Sequence, residues 1–149
     1  GVRAFAEHAV EKLGRGVGPF YKSSDEAKSL LWLRDYLLRE DDEELHLASG
    51  APRAWFAAGE SFRVERAATF FGPVSFQIVS DESEVSVEIE LSEERAPRDL
   101  ILHLRPFDQK PLQTLTINSK RELDFQPGSE QIHIPNPPAR IHISAQFDA

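Results

Sequence analysis

The chain has 149 residues, 40% hydrophobic and 28% charged, a balance that suits a folded globular protein and not a disordered one. Its 17 Lys and Arg against 25 Asp and Glu give a net charge of −8, which argues against a general nucleic-acid binder or an anionic membrane surface as partner. The absence of cysteine excludes disulfides, thiolate zinc sites and thiol nucleophiles, while leaving the compartment open, and no apolar run approaches the roughly 20 residues a membrane helix needs.

This length predicts one domain over 1–149, with a helical segment in 1–40 and a β-sandwich in 44–149. Val2, Phe5, Ala6, Ala9, Val10 and Leu13 recur at helical spacing and predict a first amphipathic helix. Gly14, Gly16, Gly18 and Pro19 end it. The Gly-x-Gly-x-Gly spacing loosely resembles a phosphate-binding loop, but no strand precedes it and no helix opens directly on it, so a helix-ending loop is favoured. The start, Gly1-Val2-Arg3-Ala4-Phe5, lacks the basic-then-apolar order of a signal peptide. A chain beginning with Gly is expected to have been processed or cut, with any signal or catalytic domain upstream.

Ser23 and Glu26 form a capping-box start, and the spacing predicts a helix to about Arg39. Ala27, Leu30, Leu31, Arg34, Leu37 and Leu38 make its main face. Trp32, Leu33 and Tyr36 add a second apolar side, so this helix needs two coverings. Glu40-Asp41-Asp42-Glu43-Glu44 lacks the glycine and alternating ligands of an EF-hand, and is read as a solvated turn from helix to strand.

The segment from Leu45 to Phe56 joins the helical part to the β part. Leu45 and Leu47 alternate with Glu44 and His46, as in a short strand with one buried face. Gly50 and Pro52 stop it, and Trp55 and Phe56 follow as an apolar anchor. From Ser61 the period is two. Strands are predicted around Phe62–Val64, Val74–Ile78, Val85–Leu91, Leu100–Leu104, Leu112–Asn118, Glu122–Phe125, Glu130–Ile134 and Arg140–Phe147. Short strands separated by turn residues signal an antiparallel sandwich or barrel, here a sandwich of about eight strands behind two N-terminal α-helices. Pro135-Asn136-Pro137-Pro138 reads as a rigid connector.

The pattern Leu45-x-Leu47-x-x-Gly50-x-Pro52-Arg53-x-Trp55 resembles the junction after the last helices of (α/α)6-barrel glycoside hydrolases, which often continue there into a C-terminal β-sandwich. Thr69-Phe70-Phe71-Gly72-Pro73-Val74-Ser75-Phe76 is similar to an early strand of such a sandwich, and the resemblance covers about 27–147. It implies a non-catalytic accessory domain whose partner is an upstream catalytic domain of the same polypeptide. In that family the catalytic carboxylates belong to the barrel, and the helix corresponding to 23–39 lies between barrel and sandwich.

Candidate chemistry is sparse, and neither a catalytic residue nor a cofactor is expected. His103, His133 and His142 could hold a metal only if they faced one another, and none has the paired spacing of a zinc motif, so scattered histidines are favoured; His8 and His46 complete the five. Glu88 and Glu90 share one strand face, as paired acids for glycoside hydrolysis would, but Glu84 extends the row and a solvated face is favoured. No nucleophile elbow occurs.

For a sugar ring, Trp55 and Phe70 are stacking candidates, with Trp32 and Phe71, and Arg53 lies beside Trp55. The structural alternative, a Trp55 plug at one end of the sandwich and Arg53 anchoring an acid or helix end, is favoured over carbohydrate binding. Three roles follow in order: the accessory domain, a carbohydrate-binding module using Trp55, Arg53 and Phe70, and an interaction domain docking through helix 23–39. A stand-alone enzyme comes last.

Overall fold

The computed structural model describes residues 23–148. One helix, α1 (Ser23–Leu37), leads into ten strands. They are β1 (Leu38–Asp41), β2 (Glu44–Leu47), β3 (Ser61–Thr69), β4 (Gly72–Ser80), β5 (Glu84–Glu90), β6 (Asp99–His103), β7 (Leu112–Ile117), β8 (Lys120–Glu122), β9 (Gln131–Pro135) and β10 (Arg140–Phe147). A 3-10 turn, Arg53–Phe56, separates β2 from β3. The helix predicted over Val2–Leu13 lies outside the described residues.

The strands form a four-stranded sheet ordered β1-β2-β6-β9 and a six-stranded sheet ordered β3-β4-β5-β10-β7-β8. Both contribute to one hydrophobic core. Leu45, Leu47, Leu100 and Leu102 enter it from the smaller sheet, and Phe76, Ile78, Val87 and Ile143 from the larger; none is more than 2% exposed. Each such side chain contributes roughly 1.5–3 kcal/mol by leaving water. The expected mainly β chain is therefore what forms, as two mostly antiparallel sheets, but with ten strands where about eight antiparallel ones were expected.

Three details differ from expectation. The helix stops at Leu37, and Leu38–Asp41 is the edge strand β1, paired with β2 in the register Leu38↔Leu47 to Asp41↔Glu44. Two backbone bonds, Ala48 N–H to the Leu37 carbonyl (2.7 Å) and Gly50 N–H to Tyr36 (2.9 Å), draw the helix end across the strand that follows. Leu38, 1% exposed, is thereby placed in the core as a strand residue. Asp42 takes the left-handed conformation (φ 54°) that lets a two-residue turn close, a role its short polar side chain tolerates.

The second difference is that β2 pairs with β6 in parallel, Leu45 beside Leu100 and Leu47 beside Leu102. β2 is thus an interior strand, and His46 is buried on the face opposite Leu45 and Leu47 instead of facing solvent. The third is the segment predicted as strand Glu122–Phe125: pairing covers only Lys120–Glu122, because the hairpin from β7 turns tightly at Asn118 and Ser119, both with positive φ. No described helix is long and apolar enough to cross a membrane.

Candidate functional site

Pro52, extended at φ −61°, opens the 3-10 turn, and the Trp55 N–H donates to its carbonyl at 3.0 Å. This short turn sends Phe56 into the core and lays Trp55 against Phe62 of β3, with ring centroids 5.4 Å apart. Phe56 meets Phe62 edge-on at 5.5 Å, and Phe62 meets Phe76 at 6.4 Å. Four aromatic rings therefore form a tilted and edge-to-face cluster around Phe62, running from the half-buried Trp55 to the core, the geometry of a plug.

Arg53 ion-pairs with Glu130 and donates from Nη1 to the Pro106 carbonyl at 3.2 Å. Arg105 reaches the same carboxylate through Nε at 3.1 Å and the Ala51 carbonyl through Nη1 at 3.3 Å. Burial would raise the Glu130 carboxyl, but hydrogen bonds and charge from Arg53 and Arg105 hold it below its ordinary value. The pair of arginines on one acid ties the 3-10 turn to β6 and to the segment entering β9. Phe70, 72% exposed, occupies the two-residue tip between β3 and β4. Phe62 and Phe70 stand at opposite ends of β3, about 26 Å apart for eight strand steps. Trp55 and Arg53 thus share one site, and Phe70 does not join it.

Of the four described histidines, His46, His103 and His133 lie on one face of the four-stranded sheet and His142 lies on the other sheet. His46 Nδ1 and His103 Nε2 are 3.2 Å apart on the outer face of the four-stranded sheet, each 7% exposed. His46 Nε2 also lies 3.2 Å from Glu44 Oε2. Burial, then the cationic forms of His46, Arg105 and Arg39, push the His103 imidazole down to about 4, against the opposing pull of Glu130. His133 on β9 meets Asp99 Oδ1 of β6 at 2.7 Å. Arg98 first, then His133, keeps the Asp99 carboxyl below its usual range by hydrogen bonding. His142 lies on the other sheet, in β10. His103, His133 and His142 are not brought together, and no group of three or more metal-ligating side chains occurs among the described residues.

Glu84, Glu88 and Glu90 form one row on the outer face of β5. Glu88 stands opposite His142 and Glu90 opposite Arg140 on β10.

One structural residue escaped the sequence reading. Glu40, in the acidic run, accepts from Arg34 Nη2 at 2.8 Å and from the Phe70 N–H at 2.9 Å. Arg34 Nη2 also reaches the Ala68 carbonyl at 2.9 Å. Helix, edge strand and β3–β4 tip are thereby joined. The acidic run Glu40–Glu44 reads as a solvated turn, whereas Glu40 lies in β1 with its carboxylate largely covered by these contacts.

Ahead of this anchored C-terminal turn, α1 carries exposed apolar residues. Leu30, Leu31, Trp32, Leu33 and Tyr36 are each more than half exposed. Leu30 to Leu33 follow one another at about 100° per residue, so these exposed apolar side chains lie all round the helix instead of on one face, and exposed apolar surface of this kind marks an interaction segment.

No protein-family model matches the chain. No curated protein matches it significantly. Function has to be argued from the molecule itself.

Proposed function

We propose that the chain is a non-catalytic accessory domain that docks through α1 on a catalytic domain of the same polypeptide. The observation that carries this reading is the exposed apolar surface of Leu30, Leu31, Trp32, Leu33 and Tyr36 on a helix whose C-terminal end is bonded to the segment after β2. The resemblance to (α/α)6-barrel glycoside hydrolases supplies the identity of the partner. A covalently joined partner also suits such a surface, because linkage raises the effective concentration and an interdomain interface need bury only about 600–1,500 Å². Trp55 and Arg53, packed on Phe62 and paired with Glu130, serve in this reading to close one end of the fold.

The test is the double variant Leu30→Glu, Leu33→Glu. Because both side chains are already exposed, the unfolding free energy of the sheets in urea is expected to stay within about 0.5 kcal/mol of the parent. Hydrogen exchange on the longer natural polypeptide should show α1 protected in the parent and open in the variant. Unfolding of the sheets by the substitutions, or a concentration-dependent dimer of the 149-residue chain that they abolish, would assign the surface to the chain's own core or to a second copy instead.

A further inference from the structure

The six-stranded sheet carries on its outer face a hollow of about 830 Å³. The floor is set by register. Arg63 of β3 lies beside Gln77 of β4, Gln77 beside Glu88 of β5, and Glu88 beside His142 of β10. A second row runs parallel to it, Ser75 beside Glu90 beside Arg140. Asn118, at the end of β7, closes one end by exchanging bonds with the His142 backbone, N–H to carbonyl and N–H to Oδ1, both at 2.8 Å. Five strands at about 4.8 Å spacing make a trough roughly 19 Å long.

The opposite end is shaped by a β-bulge. Between Val64 and Ala67 the β3–β4 register slips, and Arg66 adopts a positive φ of 48° while its N–H donates to Ser75 Oγ at 3.0 Å. An arginine in the left-handed region is uncommon, and bulges commonly re-aim side chains beside binding sites. Here the bulge brings both Glu65 and Arg66 to the wall of the trough.

The chemistry of the lining defines the ligand. Arg63, Arg66 and Arg140 balance Glu65, Glu88 and Glu90, so the trough has no net charge to select an anion or a cation. Arg63 and Glu65 pair with each other. The side chains of Arg66, Gln77, Glu88, Glu90, Arg140 and His142 make no hydrogen bond or ion pair with the described residues, and they present donors and acceptors side by side. An apolar ligand would strip water from these groups without replacing their hydrogen bonds. A peptide strand would find the backbone of β4, β5 and β10 already paired on both sides. A neutral chain of hydroxyl groups, each both donor and acceptor, satisfies the surface.

We propose that this trough binds a neutral oligosaccharide, lying across β3, β4, β5, β10 and β7. The site is separate from α1 and stands whether or not that helix docks. It also moves the carbohydrate contact away from Trp55, since no Phe, Tyr or Trp side chain faces the trough: Phe76 lines it with backbone and turns its ring to the core. Recognition rests on hydrogen bonds alone, so affinity is modest and tryptophan fluorescence is silent.

The test is a titration of the ¹⁵N-labelled 149-residue chain with hexaoses of β-1,4-glucose, β-1,4-xylose, β-1,4-mannose and α-1,4-glucose at millimolar concentration, followed by amide chemical shifts. At least one is expected to shift the Ser75, Gln77 and His142 amides saturably. The variants Glu88→Ala and Arg140→Ala, exposed and expected to fold, should keep their remaining shifts and raise Kd roughly tenfold or more. The proposal is overturned if no hexaose moves a trough amide, if shifts cluster around Trp55 instead, or if both variants bind as the parent does. A clear preference for hexagalacturonate or for a polar decapeptide would likewise overturn the neutral-sugar assignment.

Discussion

Burial and the neighbouring cationic groups leave the His103 imidazole neutral until about pH 4, whereas a solvated imidazole takes up its proton near 6.5. Between those values the unfolded chain binds more protons than the folded one, so stability falls as pH is lowered from 6.5 toward 4 and is level above 6.5. That gap corresponds to about 3 kcal/mol of stability. Asp99 and Glu130 have lowered values, so the stability they give is lost only at lower pH, on approaching and passing the ordinary carboxylate range. Urea unfolding at a series of pH values should show the slope in the parent and its flattening in His103→Gln; an equally steep slope in that variant would sink the assignment. At this scale the sequence was readable where chemistry is local. Arg53, read as an anchor for an acid, pairs with Glu130. The His46–His103 contact was not readable, because it joins residues 57 positions apart through a strand pairing that alternation alone does not specify.

At the scale of elements, period-two patterns located β4, β5, β7 and β10 well, because one face of each is apolar and the other polar; for β3 they marked only Phe62–Val64 of Ser61–Thr69, and the segment Thr69–Phe76, read as one strand, turns at Phe70 and Phe71 between β3 and β4. The helix fared worse at its end. Leu37 and Leu38 fit an apolar helical face as well as they fit a strand, and tertiary pairing with β2 decided the outcome. Gly50 shows how tightly that end is held. A Cβ there would overlap the Tyr36 ring and stand 2.9 Å from its Cα. Gly50→Ala is therefore expected to push α1 off β2 and to cost roughly 1–3 kcal/mol, as overpacking does. Gly128→Ala, which meets nothing within 4 Å, serves as the control and should leave the urea midpoint unchanged. Equal effects from the two substitutions would mean that the Tyr36 contact does not hold the helix.

For the whole molecule, the two-sheet fold was legible from strand count and turn spacing, but the order of strands within the sheets was not. Nothing in the apolar pattern of Leu45 and Leu47 distinguishes β6 from any other partner. The trough was equally hidden: its rows are assembled from four strands, and each contributes only two or three polar residues that look like ordinary solvent-facing positions.

The parallel pairing of β2 with β6 has a consequence in time. Those strands are separated by the whole β3–β4–β5 meander, whose own contacts are between neighbours in sequence. Closing the longer loop costs chain entropy before any pairing repays it. The meander should therefore be present at the rate-limiting barrier and the four-stranded sheet should zip up afterwards. Chevron analysis is expected to find that Ile78→Val mainly slows folding, while Leu102→Ala mainly speeds unfolding. The reverse partition would place the parallel pair in the nucleus. With the expected order, a newly made chain holds Leu45 and Leu47 without their β6 partners until residue 102 has been synthesised, and over that interval aggregation competes with folding.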